Sequence, residues 1–176
     1  METDTGADME TDVKTDVKTE TGADMEIDTE TDVPPPQVWP TLRARDARAL
    51  ISFLCDAFGF EETVVYGEGD QVDHAQLSWP LGGGIMLGSV RETDDDAWPL
   101  RPGTFGGYVV TDDPDGLCDR AVKAGAEITT GLYETNYGSR DFAARDIEGN
   151  RWSFGTYRGE PRRQPEKYTW SAGDGQ

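Results

Sequence analysis

Ala57-Phe58-Gly59-Phe60-Glu61 and, 66 residues further on, Lys123-Ala124-Gly125-Ala126-Glu127 place the same Gly-x-Glu at the end of an apolar helical stretch. The same shift of 66 lays Leu42-x-x-x-Asp46 on Tyr108-x-x-x-Asp112 and Gly83 on Gly149. Around the first copy, Gln37 to Arg45 alternates as a strand does. Asp46 is placed to cap a helix carrying Leu50, Ile51, Phe53, Leu54 and Phe58, and Gly59 suits its carboxyl end. Strand-like stretches follow near 61–67, 71–79 and 84–90, the last pair turned by Gly82-Gly83-Gly84. That triple glycine reads as a hairpin turn and not a phosphate cradle, because neither a helix nor a lysine follows it. Around the second copy, Phe105 to Asp112 reads as a strand. Asp113-Pro114 opens a helix with Leu117, Cys118, Ala121 and Val122 on one stripe. Strands are expected over 126–134, 139–146 and 151–157, with Glu148-Gly149-Asn150 turning the last hairpin. The reading is therefore an internal duplication of a β-α-β-β-β unit. The fold class is α+β, with two tandem βαβββ modules, each sheet carrying a helix on its convex side and facing a shared cleft on the other.

The chain of 176 residues carries 35 acidic and 16 basic side chains, a formal charge of −19. Such a balance argues against nucleic acid as a partner, since no basic surface is available to displace counterions from phosphates. No apolar run approaches the ~20 residues of a membrane span, and no signal peptide is visible, so a cytoplasmic protein without a membrane partner is expected. Two cysteines do not make a disulfide scaffold. Cys55 and Cys118 lie at helical spacing from Ile51 and Val122 and read as small buried hydrophobes. Twelve of the acids fall within residues 1–34, against Lys14 and Lys18, and Thr5-Gly-Ala-Asp-Met-Glu10 returns as Thr21-Gly-Ala-Asp-Met-Glu26. Three segments follow: a disordered acidic leader over 1–36, a folded domain over 37–158 with modules at about 37–90 and 104–157, and a polar tail over 159–176. Asp94-Asp95-Asp96, in the connector, reads as a solvated charge run.

The paired modules resemble the vicinal oxygen chelate superfamily, which includes glyoxalase I, bleomycin-resistance proteins and extradiol dioxygenases. So do the stretches Phe58-Gly59-Phe60, His74-Ala75-Gln76-Leu77, Val110-Thr111-Asp112-Asp113-Pro114 and Asp146-Ile-Glu-Gly-Asn150-Arg-Trp-Ser-Phe154. Tyr137-Gly138-Ser139-Arg140-Asp141-Phe142 is most similar to the small glyoxalase/bleomycin-resistance-type proteins of bacteria. Ile147 departs from the proline usual in that hairpin. The resemblance implies a cleft in which the enzymes hold a divalent metal, with His or Gln on the first strand of each module and Glu on the last. Mapped here, those positions are Trp39, Leu87, Phe105 and Ser153, which offer no ligand set, so neither a metal nor another cofactor is expected.

His74 is the single histidine and shares one strand face with Gln76 and Ser78. It reads either as a hydrogen-bonded structural side chain or as a ligand contact and candidate general base. Alternation assigns Trp39, Thr41, His74, Gln76, Leu87, Phe105 and Ser153 to the cleft, with Tyr137 and Arg140 at its rim. Trp39 and Phe105, twins in the repeat, are expected to face one another. Arg140 fits either a surface ion-pair cluster or an anion contact. The expected function is binding of a small aromatic or amphipathic molecule, for sequestration or resistance, with a homodimer as the expected assembly. The alternative is a glyoxalase-like lyase or isomerase, or a dioxygenase-type enzyme. It would use a metal site that this mapping misses, or His74 as base.

Overall fold

Asp46 opens the first helix: its carboxylate accepts from the Ala49 amide at 2.9 Å, the side-chain cap that an otherwise orphaned amide needs. The computed structural model describes residues 38–91 and 99–160. The leader, the Asp94–Asp96 run and all of the tail beyond Glu160 lie outside the described residues. In the first module β1 is Thr41–Ala44, and α1 runs Ala47–Phe53 and continues as a π-helical turn over Leu54–Phe58. Gly59 closes that turn at φ +85°, a left-handed conformation costly for any residue with a Cβ. β2 (Glu61–Tyr66), β3 (His74–Ser78) and β4 (Gly84–Ser89) complete the module. The second module repeats it as β5 (Gly106–Val110), α2 (Pro114–Lys123), β6 (Glu127–Glu134), β7 (Arg140–Arg145) and β8 (Arg151–Gly155). Asp113 caps α2 through the Gly116 amide at 2.9 Å, with Pro114 at the first helical position.

Each module forms a four-stranded sheet, ordered β1-β4-β3-β2 and β5-β8-β7-β6, with one parallel pair, β1/β4 or β5/β8. The duplication read from the 66-residue shift is thus the architecture of the fold. Alternation then sorts the strands. Leu42, Ala44, Ala75, Leu77, Ile85 and Leu87 of the first sheet are buried together with Phe142, Ala144, Trp152 and Phe154 of the second in one apolar core. The face of each sheet opposite the core is its open face.

The modules interlock. Phe58, from the helix of the first, packs on Trp152 and Phe154 of the second, with ring centroids 5.8 and 4.8 Å apart. Arg120 of α2 donates to the carbonyls of Asp56 and Cys55, both at 2.7 Å, at the end of the π turn, where the Cys55 carbonyl also accepts from the Gly59 amide. Glu148, in the β7–β8 turn, accepts from the Asp46 amide at 2.8 Å and from Arg45 at 2.9 Å.

Candidate functional site

Asp146 organises the last hairpin. Its buried carboxylate accepts from the amides of Glu148 and Asn150, from Asn150 Nδ2 and from the Trp152 indole, at 2.9–3.0 Å. Asn150 Oδ1 in turn accepts from the Phe105 amide at 3.1 Å. The Asp-x-x-Gly-Asn-x-Trp stretch therefore fixes Trp152 and Phe105, two of the three aromatic residues, with Tyr108, that the second module gives to a shared cavity. The Trp152 and Phe105 rings lie 5.1 Å apart. From the first module come Phe60, 5.5 Å from Trp152, and Trp79, 5.1 Å from Phe60. Trp79 is anchored across the module boundary by its Nε1–H donating to the Val110 carbonyl at 2.8 Å. The resulting cavity, about 300 Å³, is lined on one side by these rings with Ile85 and Val109. Arg158 stands on its lining and is ion-paired with Asp112. Among the described residues it is the one charged side chain of the lining, which is otherwise mostly apolar and aromatic.

The expected cleft residues are distributed over three places. Phe105 lines the inter-module cavity. Trp39 precedes β1 and lies against Gly84, where a Cβ would stand 2.8 Å from the indole; Gly84 itself lines the cavity. Thr41, His74 and Gln76 share the open face of the first sheet, where Thr41 and His74 border a hollow of about 180 Å³ with Arg43 and Met86. Ser153 faces the open side of the second sheet, beside a hollow of about 490 Å³ floored by Gly106 and Ala143. Leu87 borders the first-sheet hollow with Thr41 and His74, but its side chain corrects the sequence reading. It is buried in the core opposite Leu42 and Ala75, and the open-face position on β4 belongs to Met86, opposite Thr41 and Gln76. A one-residue slip in a strand exchanges its faces, and that slip is the cause.

Arg140 is held by Asp115 at 2.5 and 2.7 Å and by Glu134 at 3.0 Å, the surface cluster of its two readings. The Asp115 hydrogen bond, followed by that of Glu134, pushes the guanidinium further toward its protonated form. Tyr137 is exposed and packs edge-on against Tyr157 at 5.5 Å. His74 stacks on Tyr66, with ring centroids 6.3 Å apart. The neighbouring Asp73 carboxylate is paired with Arg91 at 3.2 Å.

Sequence reasoning missed Phe60, Trp79 and Trp152. Trp79 was legible as the end of the Ala75-Leu77-Trp79 face, but its place between the modules is a tertiary fact. On the open faces, the first and last strands of the modules carry Thr41 and Met86, and Tyr108 and Ser153. A thioether and hydroxyls without imidazole or carboxylate do not fit a divalent cation. Among the described residues no group of three or more His, Cys, Asp or Glu converges.

These features define a class: small proteins built from two βαβββ modules with paired four-stranded sheets. The profile of the Glyoxalase/Bleomycin resistance protein/Dioxygenase superfamily matches residues 37–154, and the chain belongs to that superfamily. Among solved structures it is similar to TioX from Micromonospora sp. ML1, at 25% identity and a TM-score of 0.57 over 67% of this chain and 97% of that one. An integron cassette protein from the mobile metagenome of V. cholerae shares the fold at 20% identity and a TM-score of 0.53, covering 71% of this chain and 98% of its own. TnmS3, an antibiotic binding protein from Streptomyces sp. CB03234, does so at 23% identity and a TM-score of 0.51, covering 65% and 88%. No curated protein matches in sequence.

Proposed function

We propose that this protein binds a small planar aromatic or amphipathic molecule in the cavity between its modules, without a metal, and so sequesters it. The observation that carries the reading is the half-buried rings of Trp79 and Phe105, one from each module and backed by the buried Phe60 and Trp152, around about 300 Å³. Flat aromatic guests gain from such rings by offset or edge-on stacking. Arg158, its charge already met by Asp112, offers a polar edge at the lining. The antibiotic-binding activity named for TnmS3, which has this fold, agrees with the reading. Sequestration needs no proton relay, and His74, stacked on Tyr66 beside a carboxylate already paired with Arg91, has the surroundings of a contact residue more than of a general base. A homodimer and a cytoplasmic setting belong to the same proposal; free thiols at Cys55 and Cys118 suit a reducing compartment. No helix of the described residues is long and apolar enough to cross a membrane.

The test is a titration of the full chain with 8-anilinonaphthalene-1-sulfonate, an amphipathic aromatic probe, followed by tryptophan quenching and thermal shift. Saturable one-site binding that Trp79→Ala weakens supports the reading. A bound zinc, nickel, manganese or iron recovered with the purified protein, together with probe binding indifferent to Trp79, overturns it.

A further inference from the structure

A second constellation lies on the opposite, open side of the second sheet. Alternation from the core residue Phe142 puts Asp141 on that face, between Tyr133 on β6 and Gly155 on β8. Its carboxylate is 2% exposed, yet among the described residues it is in no ion pair, and the one hydrogen bond it receives comes from the Ser139 hydroxyl at 2.5 Å. Gly155 makes room for it: a Cβ there would stand 1.9 Å from Asp141 Oδ1 and 2.5 Å from the Tyr108 hydroxyl. That hydroxyl lies 3.5 Å from Ser139 Oγ and accepts from the Tyr157 amide at 3.1 Å, and the Tyr157 ring meets Tyr137 edge-on. Four of the chain's six tyrosines thus form one connected group beside this nearly buried carboxylate, Tyr133 opposite it in register, Tyr108 next to it at the Gly155 gap, and Tyr157 and Tyr137 linked through Tyr108, while each stays 40–62% exposed. Burial, and then the charge of Asp141, pushes the Tyr133 phenol above its ordinary range.

The nearby basic groups are already engaged. Arg140 sits between Asp115 and Glu134, and Arg158 pairs with Asp112. Tyr157 donates to a further carboxylate, Glu160. The local field is therefore negative, and tyrosine faces attract cations through their quadrupole. We infer that the Tyr108-Tyr133-Tyr137-Tyr157 cluster beside Asp141 is a binding site for an organic ammonium ion, on the open side of the second sheet and sharing only Tyr108 with the lining of the inter-module cavity. The tyrosine faces hold the alkylated nitrogen, and Asp141 supplies the charge from beneath without needing to touch it. A hard metal ion is not the fitting guest, because a single carboxylate among phenols offers too few oxygen ligands.

The experiment titrates the full chain, carrying ring-labelled tyrosine, with choline and separately with 3,3-dimethylbutan-1-ol, its uncharged isostere. Choline is expected to shift the Tyr133, Tyr137 and Tyr157 ring signals saturably in the millimolar range, and the isostere at least about tenfold more weakly. Tyr137→Leu, at an exposed position, is expected to weaken choline at least about threefold while Tyr137→Phe keeps it. Asp141→Asn tests the charge wherever that variant folds. Equal binding of the two compounds, no saturable shift with choline, or choline affinity unchanged in Tyr137→Leu would overturn the assignment.

Discussion

The Trp152 indole donates to Asp146 Oδ2 at 2.9 Å, so a wall of the cavity is aimed by a carboxylate six residues earlier in the same hairpin. Asp146 collects three further bonds, two of them from backbone amides. Asp146→Ala strands all four donors in a buried place, and each unsatisfied donor costs about 1–3 kcal/mol less whatever water recovers. The expected loss of stability is about 2–4 kcal/mol by urea denaturation. A weakened near-ultraviolet tryptophan signal should accompany it.

Phe105 is held by its backbone, through the Asn150 side chain and the Arg151 amide, while its ring lines the cavity half-buried. Phe105→Ala should therefore weaken an aromatic guest about tenfold and leave a folded protein, since 1.4 kcal/mol is one decade. Trp152→Ala should instead cost about 3–5 kcal/mol of stability, because that side chain belongs to the core. Melting curves beside probe titrations separate the two outcomes.

The Arg140 hydrogen bond holds the Asp115 carboxyl below its ordinary value of 3.8. A depressed carboxylate contributes stability above its unfolded pKa and loses it as pH falls through the folded one, so the pair weakens only below about pH 4. A carbon-detected titration should find the Asp115 midpoint under 3.8, and Arg140→Ala should return it upward. A midpoint unmoved by that substitution would dissolve the pair.

Both thiols are pushed up, Cys55 by burial and then by Glu62, Cys118 by burial and then by Asp119 and Asp115. Since the thiolate is the reactive form, iodoacetamide at pH 8 should label the native chain far more slowly than the urea-unfolded one. Equal rates would contradict the packing of both helices.

The repeat shift was the strongest signal in the sequence, because it rests on elements that must recur for a module to close: a helix end at Gly59 or Gly125 and a turn at Gly83 or Gly149, with the capping Asp46 and Asp113 one residue out of that register. Strand faces were legible where polar and apolar residues alternate, as in His74 to Trp79. They were not legible in β4, where Ile85, Met86 and Leu87 are all apolar and only the pairing of Met86 with Thr41 reveals which one faces outward. Two of the cavity rings, Phe60 and Trp152, carry no local signal that sets them apart as cavity residues. Their meeting across 92 residues depends on how the modules dock, which no local pattern encodes.

Because Phe58 leaves its own module to pack on Trp152 and Phe154, neither half of the duplication owns a complete interior. Denaturation should follow a single transition with one midpoint for all probes. A fragment ending at Arg91 would carry a bare aromatic knob in search of a socket, prone to self-association until residues 99–160 were supplied in trans. The two halves descend along the chain as copies, but they must fold as one.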